Sequence, residues 1–269
     1  MDFDRILSIA RASAMAAAWL AVLGGPGAAQ ERRLLSVEEA VPFRGVGRLN
    51  VAGTRFCTAT LISETVIITA AHCLFHPRTR ARVPLGEFRF AAGLRMGKTA
   101  AVGRIVRAAV HPEFTFEGMA SPAGVAADLA VLELAEPVAA GDAPAFATGD
   151  LRRDAAPLAI VSYARDRAQA PSIEEPCGLA TTFAGVAALD CAVNYGASGA
   201  PVLQGAAEEE GEGAEGEGEE GGAGERRLVA VVSAMGSVVA SERQVTLAVL
   251  VGPWMALLLE SLAAEPLPE

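Results

Sequence analysis

Scarcity defines this chain before abundance does. Its 269 residues hold four cysteines and no Cys-x-x-Cys pair, the spacing a structural zinc site would need. Basic residues are in deficit, 22 Lys and Arg against 32 Asp and Glu, for a formal charge of −10. Nine of the glutamates fall within 206–225, which contains no basic residue, so the rest of the chain carries only about −1. That argues against a polyanion-binding surface, and nucleic acid is not expected as a partner. Long apolar runs are missing too: the run at 12–23 is too short for a comfortable membrane span. Only three histidines are present, His72, His76 and His111, so few places can host imidazole chemistry.

What remains is enough to build a core. Hydrophobic residues make up 52% of the chain, and the length suits one large domain or two small ones. Arg5 and Arg11, the apolar run 12–23 and the small residues Gly24-Gly25-Pro26-Gly27-Ala28-Ala29 describe a secretory signal peptide cleaved near Ala29. No cysteine follows it, so a lipoprotein anchor is not indicated. In an exported chain, an even cysteine count predicts disulfides, with three connectivities open. Spacing favours Cys57 with Cys73 and Cys177 with Cys191, each closing a loop worth about 3 kcal/mol of chain entropy.

Short apolar stretches separated by turns run from residue 45 onward. Strands are expected at 45–51, 56–62, 66–69, 87–91, 101–110 and 129–134, then at 158–163, 177–182, 187–191, 201–203, 228–232 and 244–251. This spacing predicts an all-β barrel or sandwich architecture. Glu136-Pro137 opens an Ala/Gly/Pro-rich stretch that divides the body into similar halves. The Gly/Glu/Ala tract 206–225 cannot bury apolar surface and is expected as a disordered, solvated insertion between two strands. Trp254, Leu257, Leu258 and Leu262 share helical spacing, so a C-terminal helix docked on the body is expected over 253–264.

Three short motifs carry chemistry. Thr69-Ala70-Ala71-His72-Cys73 delivers a histidine at the end of the β-branched stretch Val66-Ile67-Ile68. Asp128 heads the apolar stretch Leu129-Ala130-Val131-Leu132, where a buried carboxylate can fix a histidine tautomer. Gly196-Ala197-Ser198-Gly199-Ala200-Pro201 sets a serine between glycines, a turn in which the amides of Gly196 and Ser198 can converge on an oxyanion.

In this His…Asp…Ser order the motifs resemble those of the chymotrypsin/trypsin-like serine peptidases, specifically the exported bacterial members, over roughly residues 42–260. The resemblance implies two antiparallel six-stranded β-barrels with a C-terminal helix. The first would span 42–136 with His72 and Asp128. The second would span 137–252 with Ser198 and the insertion 206–225. Residues 30–41 would form an N-terminal or pro-segment, and 253–269 the helix and tail. The resemblance further implies Ser198 as nucleophile, His72 as general base and acid, Asp128 as its orienting carboxylate, and the Gly196 and Ser198 amides as oxyanion hole. Cys57–Cys73 matches the family's bridge beside the histidine, and Cys177–Cys191 more loosely a bridge of the second barrel. Ser233, in Val232-Ser233-Ala234, falls in the strand that pairs with substrate, its hydroxyl supporting Asp128. His76 and His111 take structural places, in a loop and at a strand end.

Three positions depart from the family pattern. Ala197 stands where many members carry aspartate, so activation by an inserted N-terminal amine is not expected, and no Ile-Val-Gly-Gly start is present. Thr58-Ala59-Thr60 follows Cys57 where glycines are frequent, with no chemical consequence visible in the sequence. Gly199-Ala200 replaces a Gly-Gly pair. Six residues before Ser198, Ala192 would form the floor of the primary specificity pocket. Ala192 and Val193 offer no carboxylate, so a small or apolar P1 residue is expected instead of Lys or Arg. No histidine precedes Ser233, where glutamate-preferring members place one. The function implied is that of a periplasmic or secreted serine endopeptidase. It would be a monomer without metal or cofactor, acting on protein or peptide substrates. The alternatives are a silent protease-fold binding protein and an esterase using the same triad.

Overall fold

The first strand-rich module follows from alternation and β-branching. In this computed structural model, which describes residues 32–117, 122–153, 157–205, 226–238 and 243–267, strand β1 (Arg33–Leu34) precedes a six-stranded barrel. Its strands are β2 (Val46–Val51), β3 (Arg55–Leu61), β4 (Val66–Thr69), β5 (Phe88–Ala92), β6 (Ala101–Val110) and β7 (Ala130–Leu134). They close in the order β2-β3-β4-β7-β6-β5, with every pair antiparallel. Inward residues of alternate positions, among them Leu49, Leu61, Ile67, Phe88, Phe90 and Leu132, fill its interior. A short helix α1 (Pro122–Ala126) lies between β6 and β7.

The chain leaves this barrel at Leu134 and re-enters sheet structure at Leu158; Glu136-Pro137 lies in this connection. Val138, Ala143 and Phe146 are buried along it. The second module contains β8 (Leu158–Ser162), β9 (Ser172–Cys177), β10 (Leu179–Phe183), β11 (Val186–Leu189), β12 (Pro201–Gln204), β13 (Arg227–Val238) and β14 (Arg243–Leu250). The second six-stranded barrel that the resemblance implies is present as a half-barrel within an eight-stranded sheet, β1-β9-β8-β12-β13-β14-β11-β10. The six strands from β9 to β11 are the half-barrel, and β1 and β10 occupy its two edges. The Cys177–Cys191 disulfide ties the end of β9 to the residue just beyond β11. Beside it the buried Glu174 accepts the Ala192 amide at 2.7 Å. Just beyond those ends the Asp190 N–H donates to the Gly178 carbonyl at 3.0 Å, where the β10–β11 ladder begins.

The two modules share a buried layer that includes Val46, Ile68, Leu129, Tyr163, Val231 and Val249. Helix α2 (Met255–Ala264) packs on β6 and β7. Its buried residues are Met255, Leu258 and Leu262, with Trp254 packed partly buried beside them. Leu257, expected on that face, is instead 40% exposed: the buried stripe runs through Met255, Leu258 and Leu262, and Gly252–Trp254 form a 3₁₀ turn ahead of the helix. The residues ahead of the first barrel also join this layer: Leu35 is buried, and β1 pairs with β9. The expected signal segment 1–29 and the insertion 206–225 lie outside the described residues. The ladder nevertheless runs to the base of the insertion, with Gln204 paired to Arg227.

Candidate active site

His72 reaches its place through strand β4 and the 3₁₀ turn Ala71–Leu74 that follows it. The turn is pinned twice. The Cys57–Cys73 disulfide bonds it to β3, and the Thr69 hydroxyl donates to the Thr58 carbonyl at 2.8 Å. Asp128 precedes β7, the strand paired with β4, so antiparallel register alone brings the two motifs together. Its carboxylate is buried, and one oxygen accepts the His72 backbone amide at 2.8 Å. The other oxygen meets His72 Nδ1 at 2.6 Å and accepts the Ser233 hydroxyl at 2.5 Å. A carboxylate can only accept, so the proton of a neutral His72 sits on Nδ1 and Nε2 is left as a base. Ser233 lies at a register shift of β13 between Val232 and Ala234, and such a bulge re-aims a side chain.

Ser198 sits in a turn that only glycine permits at two positions. Gly196 has φ +98°, and a Cβ there would lie 2.4 Å from the Phe56 ring. Gly199 has φ +81°, and a Cβ would lie 2.1 Å from both the Thr58 carbonyl and the Thr69 hydroxyl. The turn is thus pressed against the first barrel. Thr58 N–H donates to the Ser198 carbonyl at 2.8 Å, and Gly199 N–H donates to the Val232 carbonyl at 2.7 Å. The Thr58 hydroxyl, fully buried, accepts the Tyr163 amide at 3.1 Å and donates to the Gly196 carbonyl at 3.0 Å. Thr58 therefore has the consequence that the sequence did not disclose: it holds the peptide on which an oxyanion site would depend. Among the described residues the amides of Gly196 and Ser198 donate to no protein acceptor.

His72, Asp128, Ser198, Ser233, Ala234 and Val193 all line one cavity of about 550 Å³. Among the described residues no hydrogen bond joins Ser198 Oγ to His72 Nε2; such contacts tighten when substrate arrives. Ala192 is exposed and absent from the lining, its amide turned to Glu174, whereas Val193, Val232 and Met235 present apolar surface. Ala197 is buried in the core of the second module. Cys57, His72 and Cys73 cluster within 4.8 Å, but the two sulfurs are bonded to each other, which leaves one free donor and no metal centre there. His76 Nδ1 accepts the Arg78 and Thr79 amides in a loop, and buried His111 lies edge-on to Trp254 at 4.1 Å.

A closed β-barrel, a β half-barrel and a histidine–carboxylate pair facing a serine turn between them define the class: a trypsin-like β protein. The trypsin family model matches residues 37–159. Trypsin 5G1 of Aedes aegypti is 32% identical over 104 residues, which is 39% of this chain and 34% of that protein. The match therefore spans about a third of that relative's length. A Glu endopeptidase solved in complex with MPD shares the fold with a TM-score of 0.65 at 14% identity, over 87% of this chain and 97% of that one. The scabies mite inactivated protease paralogue S-D1 does so with a TM-score of 0.61 at 12% identity, over 90% and 99%. The sequence likeness thus falls on the first barrel and its exit, and the likeness in fold extends over most of the chain.

Proposed function

We propose that the chain is an exported serine endopeptidase, with His72, Asp128 and Ser198 as its triad. The hydrogen-bond chain Ser233–Asp128–His72 carries this reading, because it leaves Nε2 basic in the cavity that Ser198 lines. Ser198 Oγ attacks the scissile carbonyl while His72 Nε2 takes its proton. The same proton passes to the departing amine as the tetrahedral intermediate collapses to an acyl-enzyme, and water then repeats the sequence. The Gly196 and Ser198 amides receive the oxyanion, each donor worth about 3 kcal/mol in the transition state. Residues Ser233 and Ala234 offer the acyl-side backbone an edge, and Val193 with Val232 suits a small or apolar P1 residue. Two disulfides favour an oxidising compartment, periplasm or secretion. Among the described residues no helix is long and apolar enough to cross a membrane.

A fluorophosphonate probe tests this in signal-free, folded protein. Labelling of wild type and none of Ser198→Ala supports it; equal absence in both sinks it. A silent binding protein is the second reading, favoured by the unmade Ser198–His72 hydrogen bond and by a fold shared with an inactivated paralogue. Hydrolysis of a peptide amide beside a simple ester separates a peptidase from an esterase.

A further inference from the structure

Phe56 and Tyr195 flank Gly196, the residue expected to donate to the oxyanion. The Phe56 ring is the surface that a Gly196 Cβ would strike, and Tyr195, 61% exposed, lines the cavity one residue earlier in the chain. Each ring carries an arginine. Arg48 Cζ lies 5.3 Å from the Phe56 centroid and Arg165 Cζ lies 4.8 Å from that of Tyr195. A third arginine, Arg55, precedes Phe56 and donates to the carbonyls of Cys73 and Phe75 behind the histidine turn.

None of the three has a carboxylate within ion-pair distance among the described residues. Arg48 is held by Asn50 Oδ1 at 2.9 Å and the Ala168 carbonyl at 3.0 Å. Asp166, next to Arg165 in the chain, is taken up by Arg32 at 3.1 Å. The cavity's own carboxylates, Glu117 and Asp128, belong to the 114–128 segment and not to this rim. Three positive charges are thus oriented by neutral carbonyls, an amide and two aromatic faces, with no carboxylate among the described residues to match them.

The side on which they stand identifies what they meet. The acyl half of a substrate lies along Ser233–Met235, so the leaving half departs past Gly196 towards Phe56 and Tyr195. We infer that this chain selects peptides with an acidic residue in the first two positions on the leaving side of the scissile bond, read by Arg165 and Arg48. The inference rests on the endopeptidase reading and deepens it. Lysine at those positions is disfavoured by like charge, and the aromatic faces keep the guanidinium planes presented to a carboxylate.

Matched fluorogenic peptides, identical on the acyl side and carrying Asp, Asn or Lys at the second leaving position, test it. The expected order of kcat/KM is Asp, Asn, Lys, with about fivefold between Asp and Asn, the scale of one exposed ion pair. The Asp advantage shrinks in high salt and falls to near unity in Arg165→Gln combined with Arg48→Gln. Equal rates for all three peptides, a Lys preference, or an Asp advantage that survives the double variant would overturn it. If no peptide is cleaved and the fluorophosphonate does not label Ser198, the peptidase reading fails. Anisotropy of the same peptides, fluorescein-tagged, on Ser198→Ala protein then decides this inference alone: tighter binding of the Asp peptide supports it and equal binding refutes it.

Discussion

The Thr58 hydroxyl is a single atom on which the nucleophile turn depends. It stands between the Tyr163 amide and the Gly196 carbonyl, so it fixes the plane of the peptide that follows the expected oxyanion donor. Replacing it by valine keeps the shape and removes both hydrogen bonds, which leaves a buried carbonyl and a buried amide short of a partner. Thr58→Val is expected to lower kcat about tenfold with KM little changed, and Thr58→Ser to restore most of it; steady-state kinetics on one peptide distinguishes these. An equal rise in KM would mean that Thr58 supports the fold and not the oxyanion. Gly199→Ala is expected to fail more severely, because its Cβ would meet the Thr58 carbonyl and the Thr69 hydroxyl at 2.1 Å from a φ of +81°. A loss of about 3 kcal/mol or more in a denaturant melt checks it. His72, Asp128 and Ser198 were legible because each sits in a contiguous motif whose residue types have a chemical reason. Thr58 was not, since its partner at Gly196 is 138 residues away and only barrel packing joins them.

Among the elements, the strands were readable wherever alternation was strong, as in β2, β4 and β7. The strands β1 and β9 were not, because their pairing with each other is settled by neighbours far apart in the chain, whereas β10 matches the stretch expected at 177–182 to within two residues at its start and one at its end. The cysteine spacing did anticipate the tie. Cys177 and Cys191 join the two ends of the half-barrel, and for partners 14 positions apart the loop-entropy scale gives about 3 kcal/mol. A Cys177→Ala/Cys191→Ala protein is therefore expected to lose about that much stability and to stay folded. It is also expected to weaken substrate binding more than turnover, because Val193 follows directly on the freed segment. Urea melts and KM measured on the same samples check both parts.

At the scale of the molecule, two buried titratable groups set opposite slopes of stability against pH. Burial between sheet ends pushes the Glu174 carboxyl above its ordinary 4.5; the Ala192 amide, Arg32 and Arg167 oppose this, and Asp190 reinforces it. Burial against Trp254 holds His111 below its ordinary 6.5, with Glu113 pulling the other way. For Glu174 the native state binds more protons than the unfolded chain above pH 4.5, so stability declines as pH rises through that window. For His111 the unfolded chain binds more protons below pH 6.5, so stability declines as pH falls through 6.5. Between 4.5 and 6.5 the two slopes cancel in part, and wild type is expected to show a shallow profile. Single variants separate them. Glu174→Gln keeps the acceptor for Ala192 without the charge, so its Tm relative to wild type is expected to rise from pH 4.5 towards 7. His111→Gln cannot be protonated, so its Tm relative to wild type is expected to rise in the reverse direction, from pH 7 towards 5. Differences between proteins at each pH cancel the exposed carboxylates common to all, so thermal melts at four or five pH values suffice. Parallel profiles for all three proteins would show that neither group changes its proton affinity on folding. A Glu174→Gln curve that moves and a His111→Gln curve that does not would confine the linkage to the sheet ends and leave the α2 docking face pH-independent.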